Sequence, residues 1–284
     1  MAEKLELSAG SVGAGATLNW QAWLPKSTPR AGIVLAHGYA EHLGRYEHVA
    51  AHLKQLGYAV FALDPWGHGR SDGVPGFVPR FSAFTDGMEV LLAKVEAAHP
   101  GLPLFLIGHS MGGLIATLHL AKHQSHYAGA VLSGPLIMPA EEPSRLMQWI
   151  SRLLSRLAPK LGVLALDASG VSRDPAVVAA YLADPLVYKG KVRARLAAEM
   201  FDAMARARAS APAITLPILL LHGSDDRLTA PAGSRYLAAH LGSADKTLTL
   251  YPGLYHEIFN EPEQAQVLGD AAAWVDAHLQ ARTL

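Results

Sequence analysis

The sequence predicts an α/β fold, with a mostly parallel central sheet flanked by helices and a helical insertion late in the chain. Three observations predict it. Short apolar runs of strand length alternate with longer stretches of helical periodicity. The alternation stops over 135–216 and then resumes. Finally, a glycine-flanked serine, Gly108-His109-Ser110-Met111-Gly112, stands where one apolar run gives way to a helical pattern.

The elements follow in chain order. Segment 16–24 alternates polar and apolar residues, as an antiparallel edge strand does. The runs at 33–36, 59–63, 104–107, 128–132, 218–221 and 247–250 are apolar strands of the kind buried on both faces. Between them, 45–56, 81–98, 113–122 and 232–241 read as helices, and 262–280 as a last helix with Pro262 suited to its first turn. The stretch 135–216 is rich in Arg and Ala and broken by Pro143, Pro159, Pro175, Pro185 and Pro212. It reads as a helical cap. Residues 1–134 and 217–284 are then the two parts of one sheet domain.

Composition narrows the function classes. Half of the 284 residues are apolar and 17% are charged, the balance of a chain with a packed core. Lys plus Arg and Asp plus Glu both number 24, so there is no cationic excess of the kind nucleic-acid binding requires. The absence of cysteine excludes disulfides, thiolate metal sites and a thiol nucleophile. Residues 1–7 lack the apolar core of a signal peptide, and no apolar run has the length of a membrane span. The expectation is a soluble, cytoplasmic protein. Nothing in the sequence speaks to oligomeric state.

The G-x-S-x-G stretch carries chemistry because a strand turning sharply into a helix lifts one side chain out at the tip. Glycines at 108 and 112 let strand and helix approach, and Ser110 is the nucleophile candidate. Its base and orienting acid should follow in the loops after later strands. Asp226 follows the run at 218–221, and His256 follows the run at 247–250. Asp225 is adjacent, and spacing alone does not separate the two acids; the motif favours Asp226. Acyl transfer also needs donors for the oxyanion. These are the N–H of Met111, after the nucleophile, and the N–H of Tyr39, in the His37-Gly38-Tyr39-Ala40 loop after 33–36. Glu257, beside the histidine, reads as a surface or supporting acid. His109 and His222 need no catalytic role. No metal or organic cofactor is expected.

These residues, with Glu41-His42, Gly44-Arg45-Tyr46, Asp64-Pro65-Trp66-Gly67-His68-Gly69 and the run Leu220 to Leu228, resemble the α/β-hydrolase superfamily over nearly the whole chain. More narrowly, Ser172-Arg173-Asp174-Pro175 and Tyr181-Leu182-Ala183-Asp184-Pro185 resemble the monoacylglycerol lipase and lysophospholipase-like serine hydrolases. The resemblance implies a triad of Ser110, Asp226 and His256, with Tyr39 and Met111 forming the oxyanion hole. It also implies that Glu41 and Arg45 form the polar end of the pocket, and that Tyr181 stands near the glycerol exit. Animal members carry a further histidine three residues after the catalytic one, where this chain has Phe259.

The implied activity is hydrolysis of a small lipid ester, a monoacylglycerol first. A lysophospholipase or broad carboxylesterase, a cofactor-free haloperoxidase or perhydrolase, and a non-catalytic lipid-binding member are the alternatives. In 143–159, Leu146, Met147, Trp149, Ile150, Leu153, Leu154 and Leu157 share one helical face, with Arg145, Arg152 and Arg156 opposite. Such a helix either rests transiently on a membrane or micelle through 144–157, or packs its apolar face over the site.

Overall fold

The computed structural model describes residues 3–6, 16–141 and 144–281. Pro143, where the sequence begins the amphipathic helix, and residues 1, 2 and 7 of the N-terminal stretch read for a signal peptide lie outside the described residues. In chain order the elements are β1 (Glu3–Glu6), β2 (Thr17–Trp23), β3 (Ala31–Ala36), α1 (Glu47–Gln55), β4 (Tyr58–Leu63), α2 (Ser82–Ala98), β5 (Leu104–His109), α3 (Met111–His123) and β6 (Gly129–Ser133). There follow α4 (Arg145–Leu157), β7 (Gly162–Leu164), α5 (Pro175–Ala183), β8 (Val192–Arg193) and α6 (Ala194–Ser210). The chain ends with β9 (Ile218–Gly223), α7 (Pro231–His240), β10 (Lys246–Tyr251) and α8 (Gln264–Gln280).

Eight strands form one sheet in the order β1-β2-β4-β3-β5-β6-β9-β10, parallel from β4 to β10 and antiparallel at β1 and β2. Every residue of β3, β4, β5 and β9 is buried, which is why these strands read as unbroken apolar runs. Alternate residues serve opposite faces. Val34, Phe61, Leu106 and Leu220 pack with Met88 and Leu91 of α2 and Leu114 of α3. Ile33, Val60, Phe105 and Leu219 pack with Val49 and Leu53 of α1 and Val275 of α8.

Three expectations are corrected. The segment at 16–24 is antiparallel, but it is not an edge: β1 lies outside it, with Leu5 opposite Leu18. Four residues are too few to give a period-2 signal. Pro262 lies ahead of α8 rather than in its first turn. The amphipathic α4 does not lay its apolar face over the site; it packs on α6 with Ser155 inward, and Arg152 reaches Asp202 at 3.2 Å. Leu146, Met147, Trp149, Leu153 and Leu157 are exposed instead, from 40% at Leu153 to 74% at Leu157.

The segment between β6 and β9 is uneven in packing. Leu196, Met200, Met204 and Ala207 of α6 belong to the main core, whereas α5 has no buried residue.

Candidate active site

The register brings several strand ends together. Ala36 is opposite Gly108 across β3 and β5, His109 is opposite Ser133 across β5 and β6, and Tyr251 is opposite Gly223 across β9 and β10. The loops leaving these ends build the site, the usual place for one in an open parallel sheet.

Ser110 is the single residue between β5 and α3, with φ 55° and ψ −120°. Among the described residues only Ala40, at φ 67°, is another non-glycine with positive φ. Such a backbone costs about 1–3 kcal/mol and persists only where its surroundings hold it. Here the Ser110 N–H donates to the Ser133 carbonyl at 3.0 Å, and its own carbonyl accepts from Leu136 at 2.9 Å. The flanking glycines are a steric requirement. A Cβ on Gly112 would lie 2.0 Å from the Ala36 carbonyl oxygen, and one on Gly108 would lie 2.7 Å from that of Gly112.

His256 and Asp226 are both buried, with Nδ1 of the ring 2.7 Å from Oδ2 of the carboxylate. The loop after β9 closes around that carboxylate. The Leu228 and Thr229 amides donate to Oδ1 at 2.8 and 2.9 Å, while the Thr229 hydroxyl and His222 Nε2 lie 2.9 and 3.1 Å from Oδ2. Burial raises the Asp226 pKa, but the His256 charge and the hydrogen bonds from His222 and His256 outweigh it and keep the group ionised. Burial likewise depresses His256, and the Asp226 charge and hydrogen bond overcome it, so its pKa is raised above the ordinary 6.5. Asp225 is exposed and accepts the Ser224 hydroxyl at 2.6 Å. His109 is buried with its ring 4.7 Å from that of His256. Burial first, and then His256, push His109 down to about 3, so it stays neutral and adds no competing cation.

Ser110, His256, Gly38, Tyr39 and Ala40 line one cavity of about 190 Å³. Much of the remaining wall is apolar, with Leu136, Val192, Met200, Phe201 and Met204 among its residues. The loop after β3 approaches Ser110 closely, since a Cβ on Gly38 would lie 3.1 Å from the serine Cβ. As the first residue of α3, Met111 has an N–H with no acceptor inside the helix. The Ala40 carbonyl accepts the Tyr188 N–H at 2.8 Å, which ties this loop to the segment between β6 and β9.

A polar network adjoins the cavity. Glu41 accepts the Gly38 N–H at 2.6 Å and the Tyr46 hydroxyl at 2.8 Å through Oε1, and Arg45 Nη1 at 2.7 Å through Oε2. The same guanidinium holds both oxygens of Glu257 at 2.7 Å and stacks 4.8 Å above the Tyr181 ring. Glu41 and Tyr181 line the cavity, and Arg45 braces them from behind. Burial pushes the Glu41 carboxyl up, yet Arg45, then His109 and His37, draw it down to about 2. Phe259 is buried, and its carbonyl lies 2.9 Å from His48 Nε2.

Residues 27–263 match the family model Hydrolase_4, described as serine aminopeptidase, S33. The chain belongs to this family. A monoacylglycerol lipase from Mycolicibacterium smegmatis is 44% identical over 274 residues, which cover 96% of this chain and 98% of that one. The Homo sapiens monoglyceride lipase is 37% identical over 256 residues, covering 89% of this chain and 84% of its own. The crystal structure of Paleococcus ferrophilus monoacylglycerol lipase superposes with a TM-score of 0.84 at 32% identity, over 92% of this chain and 99% of that one.

In this Hydrolase_4 chain two further residues support the site. Of the two expectations for Glu257, a surface acid or a supporting one, the structure favours the second: it is 5% exposed and paired bidentately with Arg45. His222 is buried against Asp226, with Nδ1 2.7 Å from Ser234 Oγ. Their signals were adjacency to His256 and position four residues before Asp226.

Proposed function

We propose that this chain hydrolyses monoacylglycerols to glycerol and fatty acid through an acyl-enzyme on Ser110. The observation that carries it is the pairing of His256 with Asp226 at 2.7 Å, with His256 and the strained Ser110 both lining one largely apolar cavity that has a polar end at Glu41. The monoacylglycerol and monoglyceride lipases among its relatives support the substrate class. The chain is a carboxylic ester hydrolase.

His256 takes the Ser110 proton as Oγ attacks the ester carbonyl, and the Tyr39 and Met111 N–H groups receive the oxyanion. Asp226 holds the ring and stabilises the imidazolium. Glycerol leaves with that proton, and water, deprotonated by His256, then attacks the acyl carbon to free the acid and Ser110. The acyl chain lies along Val192, Met200 and Met204, where each buried methylene contributes about 0.8 kcal/mol. Glu41 and Tyr181 face the glycerol. Residues 135–216 act as a cap over the site. Glycerol release from 1-oleoylglycerol, compared with 1-oleoyl-glycerophosphocholine and p-nitrophenyl acetate, tests the assignment. A preference for the lysophospholipid or the acetate rejects it, and so does an active-site serine that fluorophosphonate fails to label.

The acid limb of kcat/KM should have its midpoint above 6.5, because protonated His256 cannot accept the serine proton and its pKa is raised. Asp226→Asn should move the midpoint down and cost on the order of 10⁴ in kcat; a pH–rate series on both proteins checks the sign.

The exposed apolar residues of α4 serve as a reversible lipid contact. No helix among the described residues is long and apolar enough to cross a membrane. Replacing Leu146, Trp149 and Leu157 together by Asp should reduce cosedimentation with lipid vesicles at least about tenfold, while turnover of a soluble short-chain ester stays unchanged.

A further inference from the structure

Helix α3 starts at the Ser110 turn and ends in a cluster of imidazoles that ester hydrolysis does not use. His119 and His123 are one turn apart on the same face, with ring centroids 4.7 Å apart. Glu89, from the neighbouring α2, places Oε1 3.0 Å from His123 Nε2. One nitrogen from each histidine and one carboxylate oxygen of Glu89 lie within 4.8 Å of one another.

His119 makes the cluster more than an ion pair. It is only 1% exposed. Its Nε2 lies 3.0 Å from the Tyr127 hydroxyl, and its Nδ1 has no partner among the described residues. A buried nitrogen without a partner is rare in folded proteins and asks for a ligand. A hydrogen bond to the other ring nitrogen is the usual way a metal-binding imidazole is oriented.

We propose that Glu89, His119 and His123 bind a zinc-class divalent cation, bridging α2 and α3 away from the hydrolytic centre. Two imidazoles and a carboxylate suit zinc, with water as the fourth ligand. Bonds of about 2.0–2.1 Å put tetrahedral ligand atoms roughly 3.3–3.5 Å apart, so the site closes by a small inward movement. The side chains free to make it are the two outer ones, His123 at 27% and Glu89 at 39% exposure, with His119 as the fixed anchor. His119 lies nine residues beyond Ser110, roughly 13 Å along the helix, so the ion is structural and takes no part in hydrolysis.

The test uses the full chain without an affinity tag, titrated calorimetrically with zinc chloride and followed by thermal melting with and without EDTA. One equivalent should bind at micromolar or tighter affinity and raise the melting temperature, and EDTA should reverse the rise. His123→Ala and Glu89→Gln, both at partly exposed positions, should each weaken binding at least about tenfold and abolish the thermal shift. Ester hydrolysis should be unchanged in both variants. Failure to bind zinc overturns the proposal. Binding that survives both substitutions also overturns it, since the ion would then occupy other histidines of the 14 in this chain.

Discussion

Replacing Ser110 by Ala should lower kcat/KM for a monoacylglycerol by on the order of 10⁵, about 7 kcal/mol of transition-state stabilisation. His256→Ala should cost about as much, and the double variant should be no worse than either single one. Serine and histidine act as a unit, and removing one leaves the other with nothing to do. Residual turnover should come from the oxyanion donors and from substrate binding. The turn at Ser110 adds a second expectation. With φ at 55°, Ser110→Gly removes a strained Cβ, so it should raise the melting temperature while abolishing hydrolysis. Steady-state kinetics and thermal melting on the four variants check both. A Ser110→Ala protein retaining more than about 1% of activity would remove the serine from the mechanism.

What was readable in the sequence was local. The central strands are fully buried and therefore continuously apolar, and the elbow needs glycine at 108 and 112 because the Ala36 and Gly112 carbonyls leave no room for a Cβ. Ser110, Asp226 and His256 could be named because each follows a strand that announces itself. The choice between Asp225 and Asp226 lay beyond spacing, since it depends on which carboxylate the loop after β9 turns inward and surrounds with the Leu228 and Thr229 amides. The bidentate pair of Arg45 with Glu257 spans 212 positions and leaves no periodic trace. Helix α4 shows the opposite difficulty. Its apolar stripe was plain, but a stripe of that kind does not say whether protein or lipid covers it. Clusters such as Glu89 with His119 and His123 also stay hidden, because the i, i+4 histidines are visible and the partner helix is not.

Arg45→Met should be the most destabilising change at the polar end of the site. Arg45 is one cation between two carboxylates, and all three side chains are nearly buried, at 11%, 3% and 5% exposure for Arg45, Glu41 and Glu257. Removing the only guanidinium in this network leaves both acids desolvated, a loss of about 3–5 kcal/mol. For a chain of this size that corresponds to roughly 5–8 °C in melting temperature. The pH dependence identifies the cause. In the native protein Glu41 is held near 2, below its unfolded value, so its contribution is present at neutral pH and is lost only as the pH falls toward 2. Without Arg45, the burial that pushes Glu41 up loses its largest counterweight, and the Glu41 carboxyl rises above its unfolded value. The sign then reverses, and the deficit should shrink between pH 7 and pH 5 as Glu41 protonates. Activity should fall with stability, because Glu41 holds the Gly38 N–H in the loop that carries Tyr39, and Glu257 adjoins His256. Arg45→Lys should restore only part of either property, since an ammonium cannot hold Glu257 bidentately. A variant that melts like the native protein at pH 7, or whose deficit widens on acidification, would mean that the network is held by something other than this charge.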